Sequence, residues 1–92
     1  MRFTAFIHKD LNSAYGVVFP DVPGCFSAGD SWDETMGNAI EALASHVRWL
    51  ESDGEAVPEP RSLEAIMRDP ALSEVREAAV SASIPLVRDL GS

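Results

Sequence analysis

Ninety-two residues with a hydrophobic share of 46% make one small globular domain with a single core, not two domains and not a disordered chain. A formal net charge of -8 disfavours direct binding to nucleic acid, because neutralising phosphates takes Lys and Arg. One cysteine excludes an intrachain disulfide, and neither a signal peptide nor a bilayer-spanning apolar run is present, so the expected location is cytoplasmic, with no membrane partner.

Phe3, Ala5 and Ile7 alternate with Arg2, Thr4 and His8, the period of a half-buried strand. Asp10 to Ser13 is turn chemistry. Tyr15, Val17 and Phe19 then alternate as a second strand, completing a hairpin. Pro20 and Pro23 withdraw two donors and end it, and Gly24 suits the positive-φ position of a type II turn. Asp21 is suited to the first position of a turn, and Gly29 reads as a second turn glycine. Between them Cys25 to Ala28 forms a short third strand of an antiparallel meander.

Ser31 with Glu34 three residues later is a capping box. A helix is expected from about Trp32 to Ser52, ending near Gly54. Its wheel places Trp32, Met36, Ala39, Ile40, Leu43, Val47 and Leu50 toward the sheet, and Asn38, Glu41, Ser45, Arg48 and Ser52 away from it. Trp49 also falls on the outer side, with His46 at the border. Pro58 and Pro60 make the next connection extended. Ser62 caps a short helix over 63–68, Asp69-Pro70 starts another running to about Ala79, and Val80 to Leu86 alternate as a final strand. Pro85 assigns that strand to an edge or a bulge. The expected class is α+β: a three-stranded antiparallel meander, a long helix on the sheet, short helical segments and a fourth C-terminal strand.

Charge is uneven. Residues 30–55 hold seven acids and one base, a net charge of -6, whereas residues 1–29 balance to zero. This acidity is compatible with a basic partner and equally with a solvated surface. His8, His46 and Cys25 lie at no metal-ligand spacing, and neither a metal nor a cofactor is expected. His8 reads as a solvent-facing or hairpin residue, His46 as partly buried and hydrogen-bonded, and Cys25 as a small buried thiol rather than a nucleophile. Asp21, Asp30 and Glu41 are the candidates for magnesium-assisted nuclease chemistry, although Asp21 and Asp30, with Glu34, have simpler turn and capping roles. Trp49, a large aromatic on a polar helix side, has two readings. It is an interface anchor, or it is covered by the 57–60 loop or the following helix.

The run Phe19-Pro20-Asp21, Pro23-Gly24-Cys25, Gly29-Asp30-Ser31, Glu34 and Asn38-Ala39, then Glu41-Ala42-Leu43, resembles the HicB antitoxin family over roughly residues 3 to 62. The resemblance implies a partial, degenerate ribonuclease H-like fold without its active site. It implies an antitoxin, not an enzyme, that neutralises a small basic HicA toxin, an mRNA-cleaving ribonuclease, by occluding its active site. On that reading Asn38, Glu41, Ser45 and Trp49 bind the partner. Phe19, Pro20, Asp21, Pro23, Gly24, Gly29, Ser31 and Glu34 shape the fold. Many members of the family carry a C-terminal DNA-binding module. Residues 1–92 are expected to be a single HicB-like domain without one, so direct operator binding is not expected. Homo-oligomerisation is expected, and the alternative function is a stand-alone oligomeric module of the same fold with no toxin.

Overall fold

The computed structural model describes residues 1–9 and 14–88; the expected turn at 10–13 lies outside them. Four strands form one antiparallel sheet: β1 (Arg2–Lys9), β2 (Tyr15–Val18), β3 (Phe26–Gly29) and β4 (Val80–Pro85), in the order β3-β2-β1-β4. Helix α1 spans Trp32–Ser52, α2 Leu63–Arg68 and α3 Ser73–Arg76, with a 3-10 turn at Pro70–Leu72 before α3. The meander is as expected, and β4 returns beside β1 as an edge strand. Pro85 sits at the end of that strand opposite Arg2, where a missing donor costs little. The second short helix ends at Arg76, not near Ala79.

The register explains the core. Phe3 faces Ile84, Ala5 faces Ala82, and Ile7 faces Val17 and Val80, so these side chains share one side of the sheet. Ala39, Leu43 and Val47 of α1 close over that side, joined by Phe19, Val22 and Cys25 from the corner. Burying Leu43 or Val47 is worth about 1.5–3 kcal/mol each. Trp32 departs from the wheel: it is 41% exposed and meets Tyr15 edge-on at 5.8 Å. Thr35 and Ala44, both outside that wheel, are buried, Thr35 because the first turn of α1 lies tight against Gly29 of β3.

The strand β1 is buried on both sides. Phe6 points away from α1 and is only 2% exposed, and Ile66 of α2 is also buried outside the main core. His8, on the same side as Phe6, has its Nε2 2.7 Å from the Val75 carbonyl, so the ring donates a proton there rather than facing solvent. Leu63 stands over Thr4, Ser81 and Ser83 at a shallow cleft of about 250 Å³. Residues 63–76 thus form a cover on the second side of the sheet.

Local backbone chemistry sets the corners. Pro23-Gly24 occupies a turn closed by Cys25 N–H donating to the Val22 carbonyl at 3.1 Å, with Gly24 at φ 86°. Ser31 accepts from the Glu34 N–H at 3.1 Å, whereas the Glu34 carboxylate reaches back to the Asp30 N–H at 3.4 Å. The C-terminus of α1 is a Schellman motif. Glu55 N–H donates to the Leu50 carbonyl, Gly54 N–H to that of Glu51, and Gly54 sits at φ 74°. Gly29 is not a positive-φ turn residue. It ends β3, and a Cβ there would lie 2.8 Å from the backbone N and Cα of Thr35, so its role is close approach to α1.

Asp21 occupies the third position of the turn closed by Val22 N–H on the Phe19 carbonyl, not the first. Its side chain is 5% exposed and accepts from the Arg61 backbone N–H at 2.7 Å and from Arg61 Nε at 2.6 Å. Arg61 Nη1 also donates to Asp69 at 2.9 Å. The hydrogen bond from Arg61, then that from the Ala71 N–H, holds the Asp69 carboxyl below the usual carboxylate range, and both acids push the Arg61 guanidinium up.

Two outcomes are expected. Gly29→Ala should lower stability by about 2 kcal/mol, because backbone rather than a flexible side chain must move; urea unfolding followed by tryptophan fluorescence measures it. A depressed folded-state pKa for Asp69 means stability that is present above about pH 4 and is lost as pH falls through the folded value. The urea midpoint should therefore drop on acidification below about pH 4, and Arg61→Leu should flatten that part of the profile.

Candidate functional site

The outer side of α1 is the surface that the acidic segment presents. Glu41 and Ser45 are exposed, and Trp49 is 58% exposed, so neither the 57–60 loop nor α2 covers the indole. Asn38 is on the same side but is engaged: its Nδ2 donates to the Ala28 carbonyl at 2.8 Å. Ala28 belongs to the edge strand β3, so this bond occupies an acceptor on the sheet's free margin. The opposite margin has a parallel device, where Arg2 Nη2 donates to the Ser83 carbonyl at 2.9 Å on β4. Of the four residues expected to bind a partner, Glu41, Ser45 and Trp49 are exposed and Asn38 is bonded to the sheet.

Beside Trp49 the structure opens a cleft of about 430 Å³. The corner contributes Val22 and Pro23, α1 contributes His46 and Leu50, and the following connection contributes Glu55, Ala56 and Pro58. His46 is half-buried, as expected, but among the described residues its ring makes no hydrogen bond and instead lies 5.7 Å from that of Trp49 at a tilt of 56°. Its Cε1 also stands 3.6 Å from where a Cβ on Gly24 would project, an ordinary contact, so the glycine is demanded by its φ of 86° and not by the imidazole. The cleft was not foreseen from the sequence, because its walls come from three separate segments. Arg61 was the available signal: it follows Pro-Glu-Pro and pulls the connection onto the corner by binding Asp21.

The candidates for chemistry disperse. Asp21 is held by Arg61, Asp30 lies at the start of α1, and Glu41 is exposed on the helix. Among the described residues no three His, Cys, Asp or Glu side chains gather as a metal site, and no helix is long and apolar enough to cross a membrane. Cys25 is 3% exposed, and burial pushes its thiol up to about 11. At pH 8 iodoacetamide should therefore label native Cys25 at least about tenfold more slowly than the urea-unfolded chain, since the thiolate is the reactive form. Mass spectrometry of the alkylated fraction reads this directly; equal rates would contradict a buried, protonated thiol.

Known proteins share both sequence and fold with this chain. The family model described as HicB_like antitoxin of bacterial toxin-antitoxin system matches residues 3–89. An uncharacterized 14.9 kDa protein from the rep-hol intergenic region of Haemophilus phage HP1 is 43% identical over 62 residues, 67% of this chain and 47% of that protein. The chain thus spans about half the length of this relative. Antitoxin HicB 1 of Photorhabdus laumondii is 30% identical over 60 residues, 65% of this chain and 39% of that protein. Among solved structures, the N-terminal domain of the Burkholderia pseudomallei antitoxin HicB matches with a TM-score of 0.77 and 34% identity, over 95% of this chain and 99% of that one. A chain of the HicA3 and HicB3 toxin-antitoxin complex matches with a TM-score of 0.75 and 31% identity, over 92% and 96% respectively. The same sheet, the same long helix and a family match running from β1 to beyond β4 lead to one conclusion: this chain belongs to the HicB-like antitoxin family.

Proposed function

We propose that the chain binds a HicA-type mRNA-cleaving toxin and neutralises it by stoichiometric occlusion, with no catalytic activity of its own. The observation that carries this reading is an uncovered Trp49 on an acidic helix side, in a fold matching a chain of the HicA3 and HicB3 complex. A ribonuclease must offer a cationic surface to RNA phosphates. Residues 30–55, with a net charge of -6 from seven acids and one base, offer that surface a competing anionic one. Ser45 one turn and Glu41 two turns before the indole lie exposed on the same side of α1 and supply polar groups in line with the aromatic anchor. Neutralisation then requires only that bound antitoxin excludes RNA from the toxin.

Co-expression with a HicA-type toxin followed by affinity capture tests this. Wild-type chain should recover the toxin and abolish its RNA cleavage at equimolar ratio. Trp49→Ala should weaken capture by about thirtyfold, the effect of losing a roughly 2 kcal/mol anchor. Failure of the wild-type chain to capture the toxin or protect RNA would sink the reading.

A second reading, self-association through the same exposed indole, is favoured by the size of the domain, since so small a core gains from a second copy. Light scattering separates the two, because only self-association makes the mass of the isolated chain depend on Trp49.

A further inference from the structure

We propose that the cleft beside Trp49 is a socket for one arginine side chain of a basic partner protein. This rests on the proposed function and specifies how the partner is gripped. The accessible walls are apolar, formed by Pro23, Leu50 and Pro58 over a fully buried Val22, and they suit a methylene stem rather than a hydrated ion. The polar groups are His46 and Glu55. Their chemistry matches a guanidinium, which lies flat on an aromatic ring and binds a carboxylate through two N–H groups. Trp49 lies outside the cleft lining, with its ring 5.7 Å from that of His46, and offers an exposed aromatic face next to it.

Charge selects the occupant. From Trp49 to Pro60 the chain carries four acids, Glu51, Asp53, Glu55 and Glu59, and no base. Glu51 is already bound by Arg88 at 2.8 Å, whereas Glu55 has no ion-pair partner among the described residues. Of the chain's own arginines, Arg61 is held by Asp21 and Asp69 and Arg88 by Glu51, while the exposed Arg48 lies two residues from both His46 and Leu50, a spacing that turns it to another side of the helix. The socket is therefore anionic, apolar-walled and free, and a cation from another molecule completes it. Glu55 is solvent-exposed, so a cationic occupant gains a modest, salt-sensitive ion pair there, whereas a neutral one gains none and an acidic one is repelled.

The test uses the 92-residue chain and two probes, N-acetyl-L-arginine amide and its neutral isostere N-acetyl-citrulline amide. NMR titration should show saturable shifts of the Trp49 indole N–H and the His46 ring with arginine only. Glu55→Gln should weaken that binding roughly two- to fivefold, and added salt should weaken it further. In parallel, Ala56→Phe, which fills the cleft from an exposed position, should reduce capture of a HicA-type toxin by about tenfold while the circular dichroism spectrum is unchanged. Equal shifts with citrulline, shifts away from the cleft, or no saturation would overturn the socket. Toxin capture that survives Ala56→Phe would also overturn it while leaving the proposed function intact. If wild-type chain captures no toxin but arginine amide saturates the cleft, the proposed function falls and the socket stands.

Discussion

A carboxylate at 5% exposure, Asp21, governs how the chain crosses from one side of the sheet to the other. Helix α1 lies on one side and the 63–76 cover on the opposite one, so the intervening connection must pass the corner at 19–25. Asp21 fixes that passage by accepting both the backbone N–H and the guanidinium of Arg61. A buried carboxylate without such donors would be costly, so corner and connection depend on each other. Asp69 shares the same arginine and thereby ties in the junction between α2 and the 3-10 turn. The cleft beside Trp49 is a geometric result of this clamp, because its two non-helical walls are the segments that Asp21 and Arg61 bring together.

The helix is seated by a different constraint. Only Asp30 and Ser31 separate β3 from α1, so the direction of the helix is set where it begins. The absent Cβ of Gly29 lets β3 approach Thr35 closely, and Thr35 Oγ1 donates to the Ser31 carbonyl at 2.6 Å. That contact aims Leu43 and Val47 into the core and leaves Glu41, Ser45 and Trp49 in water. The free margins of the sheet are not left bare. Asn38 and Arg2 each occupy a carbonyl on an edge strand, which discourages uncontrolled strand pairing.

Much of this was legible because it is local. Ser31, Glu34, Pro23-Gly24, Gly54, Ser62 and Asp69-Pro70 act on backbone groups within a few residues, and each ends or starts an element near where its chemistry predicts. The failures were of two kinds. Ala78, at φ 59°, follows Glu77 at φ -62° and ψ 126°, which makes a type II turn into β4 without the glycine that would have announced it. Periodicity reports a side of an element and not what lies opposite, so it misplaces Trp32; His8 does lie in the β1–β2 hairpin, opposite Gly16, but is not solvent-facing. Trp32 stands beyond the sheet against Tyr15, and His8 faces the Val75 carbonyl rather than solvent.

By itself the sequence determined the family, the antiparallel meander with its long capped helix, and the outward face bearing Glu41, Ser45 and Trp49. The family follows from resemblance to a known motif string, whereas the meander, the helix and its outward face follow from spacing, capping and turn residues, whose physics is short-ranged. Only the tertiary structure decided that Asn38 is engaged with Ala28, that Asp21 binds Arg61 forty residues away, and that residues 63–76 cover the second side of the sheet. It also decided that a cleft opens beside the exposed indole. Each is an encounter between segments distant in sequence, set by packing and charge pairing that no local pattern encodes.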